Sequence, residues 1–174
     1  MNNIKKSDIL VFKKKTYFDK RGNFKEIFLK KNHKVKFVFD VVSKSHKNVI
    51  RGLHIQLKKP QGKLVTVLNG KILDVAVDCR KNSSSLGKYF VFLLSSKKNR
   101  SIYIPEGFAH GFLSLEDNTI VHYKCTNYRE KSSEVGIMWN DRDLNIKWPK
   151  KKLYILSSKD KKNLSFNEFR KKYL

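Results

Sequence analysis

The sequence predicts a mainly β chain, an antiparallel sandwich or barrel closed by a short C-terminal helical segment. Three observations carry this: apolar residues alternate with a period of two from about residue 10 to 125, turn signals interrupt them at short intervals, and helical spacing is confined to the last residues. The clearest alternation is KLVTVLNGKILDVAV, where Asn69-Gly70 predicts a two-residue hairpin because both positions tolerate positive φ. KYFVFLLS, RSIYIP, GFLSL and TIVHYKC continue it, separated by SSSLG, SSKKN, PEG and LEDN. Ser165 and Glu168 in SFNE form a capping box, and Phe166, Phe169 and Tyr173 then share one face of a helix over about 165–174.

A length of 174 residues suits one domain with a real core, so a single domain over 1–174 is expected. Apolar residues at 40% and aromatics at 12% exclude a disordered chain. The formal net charge of +24 raises nucleic acid as a partner, but the lysines fall in scattered doublets and triplets with no nucleic-acid-binding signature between them. The charge reads as a solvated surface that also attracts small anions, with neither nucleic acid nor membrane as partner. Cys79 and Cys125 lack ligand spacing and fit a reducing compartment. The N-terminal stretch MNNIKKSDIL has no apolar run suited to a leader, and no segment approaches the ~18 apolar residues of a membrane span. A cytoplasmic protein is expected.

Two polar clusters interrupt apolar context: RGLHIQ, residues 51–56, and PEGFAHGF, residues 105–112. The second has the P-x-G-x-x-H spacing of cupin β-barrels, some of which bind metal through two histidines one residue apart and a following glutamate. Here His54 stands alone: Gln56 takes the place of the second histidine, and LKKPQ supplies no glutamate. The ligand count fails, so neither metal nor any other cofactor is expected. A lone histidine in an apolar strand is ordinarily a hydrogen-bonded interior residue. Arg51 and Lys63 shift that reading, because cations lining a barrel interior call for an anionic ligand. With Tyr123 as a weak acid, the set suggests proton transfer.

YFDKRGNFKE, VIRGLHIQ, QGKLVTVLNGKILDVAVDCR, SLGKYF, IPEGFAHGF, YKCTNY, WNDRDLNIKWP and LSSKD occur in order from about Phe12 to Asp160. Together they resemble the dTDP-4-dehydrorhamnose 3,5-epimerase family, metal-independent cupin enzymes of deoxysugar biosynthesis. The resemblance implies a cupin-type jelly-roll β-barrel, a homodimer and a nucleotide-diphosphate 4-keto-6-deoxy sugar as substrate. It also implies the roles. His54 is the base, Asp160 its orienting partner, Lys63 the cation beside the developing enolate oxygen, and Tyr123 the acid on the opposite sugar face. His110 and Asp78 match supporting positions, equally readable as a scaffold histidine bonded to a strand aspartate. Arg51 and Lys159 are placed to meet the diphosphate, and Gln56 is carried with the substrate-binding set. Arg21, Phe24 and Glu26 match a nucleotide-contacting segment, and the tryptophans of WNDRDLNIKWP read as packing around a turn.

Departures from the family fall on the substrate wall. Phe39 and Val41 stand where the family usually has Gln and Asn, and Arg129 replaces the second of two tyrosines in a position flanking the substrate. A GDP-linked 4-keto heptose, a C3-only epimerase or a 3,4-ketoisomerase are therefore alternatives. A noncatalytic cupin that binds a nucleotide sugar or polyanion is another, suggested by the charge.

Overall fold

The period-two pattern becomes two antiparallel sheets packed face to face, with every β-branched or aromatic run of the sequence reading supplying a strand. The structure, a computed structural model, describes residues 4–6 and 8–174; residues 1–3 and 7 of the N-terminal stretch read for a leader lie outside the described residues. The six-stranded sheet has the order β1 (Ile4–Lys6), β2 (Ile9–Lys13), β10 (Arg100–Ile104), β7 (Lys63–Asn69), β12 (Thr119–Cys125) and β5 (Phe39–Ser45). The five-stranded sheet runs β13 (Glu134–Gly136), β6 (Ile50–Gln56), β11 (Phe108–Ser114), β8 (Lys71–Asp78) and β9 (Tyr89–Ser95). A separate hairpin pairs β3 (Thr16–Asp19) with β4 (Gly22–Lys25). This is a cupin-type jelly roll, as the resemblance implies.

Alternation decides what each face buries. Val65, Val67, Ile102 and Val121 point inward from the first sheet and meet Ile72, Ala76, Phe108 and Phe112 of the second. The opposite faces are used too. Leu53, Ile55, Val75, Val77 and Ala109 pack beneath Leu144, Ile146 and α1 (Phe166–Tyr173), so the five-stranded sheet carries apolar clusters on both faces. Phe12, Leu64 and Tyr103 are covered by Phe28, Val35 and Phe37 on the other flank. Burying such side chains contributes about 1.5–3 kcal/mol each.

The capping box of α1 forms as expected, with the Ser165 side chain accepting from the Glu168 N–H and Phe166 and Phe169 buried. Trp139 and Trp148 meet edge to face at 6.4 Å, and the Trp148 indole N–H donates to the Trp139 carbonyl at 2.7 Å, so they pack around their turn.

The Asn69-Gly70 hairpin is not observed. β7 pairs with β10 and β12, whereas β8 pairs with β11 and β9, so the chain crosses at Gly70 from one sheet to the other. Gly70 does take a positive φ of 77°, and a Cβ there would lie 2.4 Å from Thr119 Oγ1. The dipeptide reports local backbone freedom and not which sheet the next strand joins.

Candidate active site

One end of the jelly roll opens into a cavity of about 580 Å³ whose walls come from both sheets and from residues 155–160. His54 and Arg51 on β6 line it together, although three residues apart they would face opposite ways in a regular strand. A bulge resolves this: His110 pairs with His54 but Phe112 pairs with Arg51, so two steps on β11 span three on β6. The extra residue is accommodated at Gly52, where φ is 118° and a Cβ would lie 2.6 Å from Gly111 Cα. Only glycine fits there, and its presence turns Arg51 and His54 to the same side.

His54 Nε2 lies 2.6 Å from Asp160 Oδ1, and Asp160 is also within 3.4 Å of the Gly52 N–H. Burial pushes the Asp160 carboxyl up, but the hydrogen bond and charge of His54 outweigh it and hold the group below its ordinary value. An ionised carboxylate only accepts, so Nε2 donates to it, and Nδ1 is the nitrogen that carries the lone pair of the neutral ring. The His54 side chain is 27% exposed, enough to meet a ligand.

Across the cavity, Lys63 of β7 and Tyr123 of β12 project from the six-stranded sheet. Burial lowers the Lys63 ammonium from its ordinary range, opposed by the nearby Cys125, Glu134 and Asp74. Burial raises the Tyr123 phenol, whose hydroxyl is 3.3 Å from Ser43 Oγ. A histidine on one sheet thus faces a lysine and a protonated tyrosine on the other.

Arg51, His110, Arg129 and Lys159 line the same cavity, as do Phe39 and Val41. Arg51 donates from Nε to Ser45 Oγ at 3.0 Å and from Nη2 to the Lys44 carbonyl at 2.9 Å. Arg129 and Lys159 both bind Glu134, a residue the sequence reading missed. Glu134 is held down at about 2: burial raises it, and the hydrogen bonds of Arg129 and Lys159 prevail. No sequence spacing announces Glu134, because its partners come from a loop and from a distant segment.

Five residues of the expected set do not line this cavity. Asp78 is bound by Arg80, Ser83 and Ser85 at 2.6–2.9 Å, away from the cavity, and the aspartate that meets His110 is Asp74, at 2.7 Å. Ala76 lies opposite His110, so Asp74 and Asp78 are its two diagonal neighbours on one face of β8, and Arg80 has claimed the second. Gln56 is buried with its amide fully used: Nε2 donates to the carbonyls of Lys59 and Tyr128, and Oε1 accepts from the Glu130 N–H. It fixes the loop after β12 and does not line the cavity. Arg21, Phe24 and Glu26 also lie outside this cavity. Arg21 pairs with Asp19 at 2.6 Å, Phe24 is 69% exposed, and Glu26 follows their hairpin. Among the described residues no group of three or more His, Cys, Asp or Glu side chains converges.

The fold is that of a cupin-type enzyme, and its cavity sets a histidine–aspartate pair on one side against a lysine and a tyrosine on the other. The family profile of dTDP-4-dehydrorhamnose 3,5-epimerase matches residues 3–168, and the chain belongs to that family. It is similar to the dTDP-4-dehydrorhamnose 3,5-epimerase of Methanothermobacter thermautotrophicus, 46% identical over 87% of this chain and 86% of that one. The Escherichia coli enzyme of the same name is 43% identical over 92% and 91%. A Legionella pneumophila dTDP-6-deoxy-D-glucose-3,5-epimerase, solved with dTDP-4-keto-L-rhamnose, superposes with a TM-score of 0.94 at 39% identity, covering 99% of this chain and 96% of that one.

Proposed function

We propose that this protein epimerises C3 and C5 of a nucleotide-linked 4-keto-6-deoxy sugar of the dTDP-4-dehydrorhamnose class, for deoxysugar and surface polysaccharide synthesis. The observation that carries this reading is the His54–Asp160 pair facing Lys63 and Tyr123 across one cavity. A C4 ketone acidifies the hydrogens at C3 and C5. His54 Nδ1 removes one, and the C–H electrons pass into a C=C bond as the carbonyl becomes an enolate. The Lys63 ammonium meets the negative oxygen where it develops, in a site sheltered from water. Tyr123, kept protonated by burial, returns a proton to the carbon from the other face, inverting it. Solvent then takes the proton from His54 and restores that of Tyr123. Asp160 fixes the tautomer and steadies the imidazolium.

The cysteines are both free thiols, which supports a reducing, cytoplasmic setting. A homodimer is part of the reading. β5 is an open sheet edge, Tyr17, Phe18 and Phe24 of the β3–β4 hairpin are exposed, and such features call for a partner. On this reading Arg21, Phe24 and Glu26 serve the partner's nucleotide rather than their own chain's.

Incubation with dTDP-4-keto-6-deoxyglucose in deuterium oxide tests the function, with deuterium expected at both C3 and C5. Absence of exchange with this and with GDP-linked 4-keto sugars would sink it. Phe39, Val41 and Arg129 on the cavity wall favour one second reading, a changed sugar or nucleotide or a C3-only reaction, which deuterium at C3 alone or with the GDP-linked sugar alone would identify.

A further inference from the structure

The rim of the cavity carries an arrangement that the proton-transfer chemistry does not use. Glu134 opens β13, its side chain only 13% exposed, and its two oxygens hold two cations that are about half exposed. Arg129 Nε donates to Oε2 at 3.0 Å and Nη2 to Oε1 at 3.2 Å, and Lys159 Nζ donates to Oε1 as well. Arg129 comes from the loop after β12 and Lys159 from the segment that supplies Asp160, so one carboxylate ties together the two sides of the mouth.

The bridge leaves most donors unspent. A guanidinium has five N–H groups and an ammonium three. Two of the first and one of the second go to Glu134. The cluster keeps one net positive charge, since two cations share one carboxylate. Four cations line the cavity in all, Arg51, Lys63, Arg129 and Lys159, against two lining carboxylates, Glu134 and Asp160. An anion is called for, and the depth order says which part of the substrate supplies it. Lys63 and Tyr123 are desolvated between the sheets, where the sugar must meet His54, while Arg129 and Lys159 are at the rim. Because both rim cations touch the same carboxylate, any anionic group within reach of one is within reach of the other.

We propose that Arg129 joins Lys159, which the resemblance already places at the diphosphate, in a two-cation clamp on the substrate pyrophosphate, and that Glu134 is the positioning residue that holds both in place. The inference rests on the epimerase reading for its substrate, and it moves Arg129 from the sugar to the diphosphate. Glu134 serves here through geometry, at the expense of some positive charge.

That opposition makes the test sharp. Glu134→Gln keeps shape and removes a negative charge. If Glu134 acted only through the cavity's field, inorganic pyrophosphate and dTDP would bind more tightly to the variant. The clamp expects weaker binding of both, by about fivefold to tenfold in calorimetry, because the forks lose their anchor. Arg129→Leu, on an exposed loop side chain, is expected to weaken pyrophosphate and dTDP by about tenfold and thymidine hardly at all. In turnover its KM for the sugar nucleotide rises by more than kcat falls, and Arg129→Lys recovers part of the loss. Tighter binding to Glu134→Gln, or equal loss of thymidine and dTDP affinity in Arg129→Leu, overturns the clamp. Pyrophosphate binding that weakens in both variants of a protein inert toward every 4-keto sugar nucleotide upholds the clamp while removing the epimerase reading. Unchanged binding in variants of an active epimerase does the reverse.

Discussion

Two histidines lie side by side in the five-stranded sheet, each bound to an aspartate, and the two pairs differ in exposure and in where the aspartate comes from. His54 with Asp160 and His110 with Asp74 have N–O distances of 2.6 and 2.7 Å, and the two histidines are register partners on β6 and β11. The His110 side chain is 5% exposed and its aspartate lies within the same sheet, whereas His54 is 27% exposed and its aspartate comes from the far end of the chain. A His–Asp contact by itself does not mark a base. What marks one is a free nitrogen facing a cavity that also holds an acid and a cation. His110 lines the cavity too, but its side chain is nearly closed off and its partner Asp74 is fully buried, with Oδ1 unpartnered among the described residues.

Breaking each pair should separate these roles. His54→Asn is expected to lower C3 and C5 exchange by about 10²–10⁴-fold, the usual contribution of a positioned base, with a smaller loss of thermal stability than His110→Asn because this pair is the more exposed. His110→Asn should do the opposite, lowering stability by about 1–3 kcal/mol through its disturbed buried carboxylate, with a smaller effect on rate. Equal catalytic losses at unchanged melting temperature would break the comparison. Lys63→Met, which leaves Tyr123 and both pairs intact, should lower kcat by about 10²–10³-fold as an enolate-stabilising cation is lost.

The pH dependence sharpens the contrast further. Tyr123 is raised and stays protonated through the working range, while Lys63 is lowered by burial and must stay charged. The alkaline loss of kcat is therefore expected as pH rises through the lowered Lys63 value, below the ordinary lysine value of 10.5, and to vanish from the profile of residual activity in Lys63→Met. On the acid side Glu134 is depressed in the folded protein, so its stabilising contribution is complete above pH 4.5 and is lost as pH falls toward about 2. Asp160 is depressed too, and its contribution also disappears on acidification through its lowered value. Acid unfolding followed by circular dichroism should shift to higher pH in Glu134→Gln. The smallest expected effect is that of chelation: exhaustive treatment with EDTA should leave exchange rates unchanged, and a rate restored only by an added divalent ion would contradict a base-and-acid mechanism.

His54, Lys63 and Tyr123 stand out in the sequence as candidates because they sit in strands whose alternation and motifs are local, and the fold brings all three to one cavity. Asp160 was legible only through family resemblance, since no periodic rule links position 54 to position 160. Asp74 and Asp78 were harder. Two residues on one face of a strand four apart are equivalent by alternation, and only the register with β11, together with Arg80, assigns the His110 contact to Asp74. Gln56 was expected among the substrate-binding residues, and its amide is spent on backbone groups of Lys59, Tyr128 and Glu130. Asn69-Gly70 announced a turn and concealed a change of sheet.

By itself, then, the sequence determined the local quantities: the strands, the helix cap at Ser165, the glycines that permit positive φ, and which residues carry protons. These follow from side-chain chemistry and backbone sterics within a few neighbouring residues. The tertiary structure alone decided which strands face each other across the cavity, which aspartate each histidine receives, and that Arg129 and Lys159 share Glu134. Those depend on register, on the bulge at Gly52 and on the return of the C-terminal segment across β6: Lys159 and Glu134 are 25 positions apart and His54 and Asp160 are 106, with no periodicity to announce either contact.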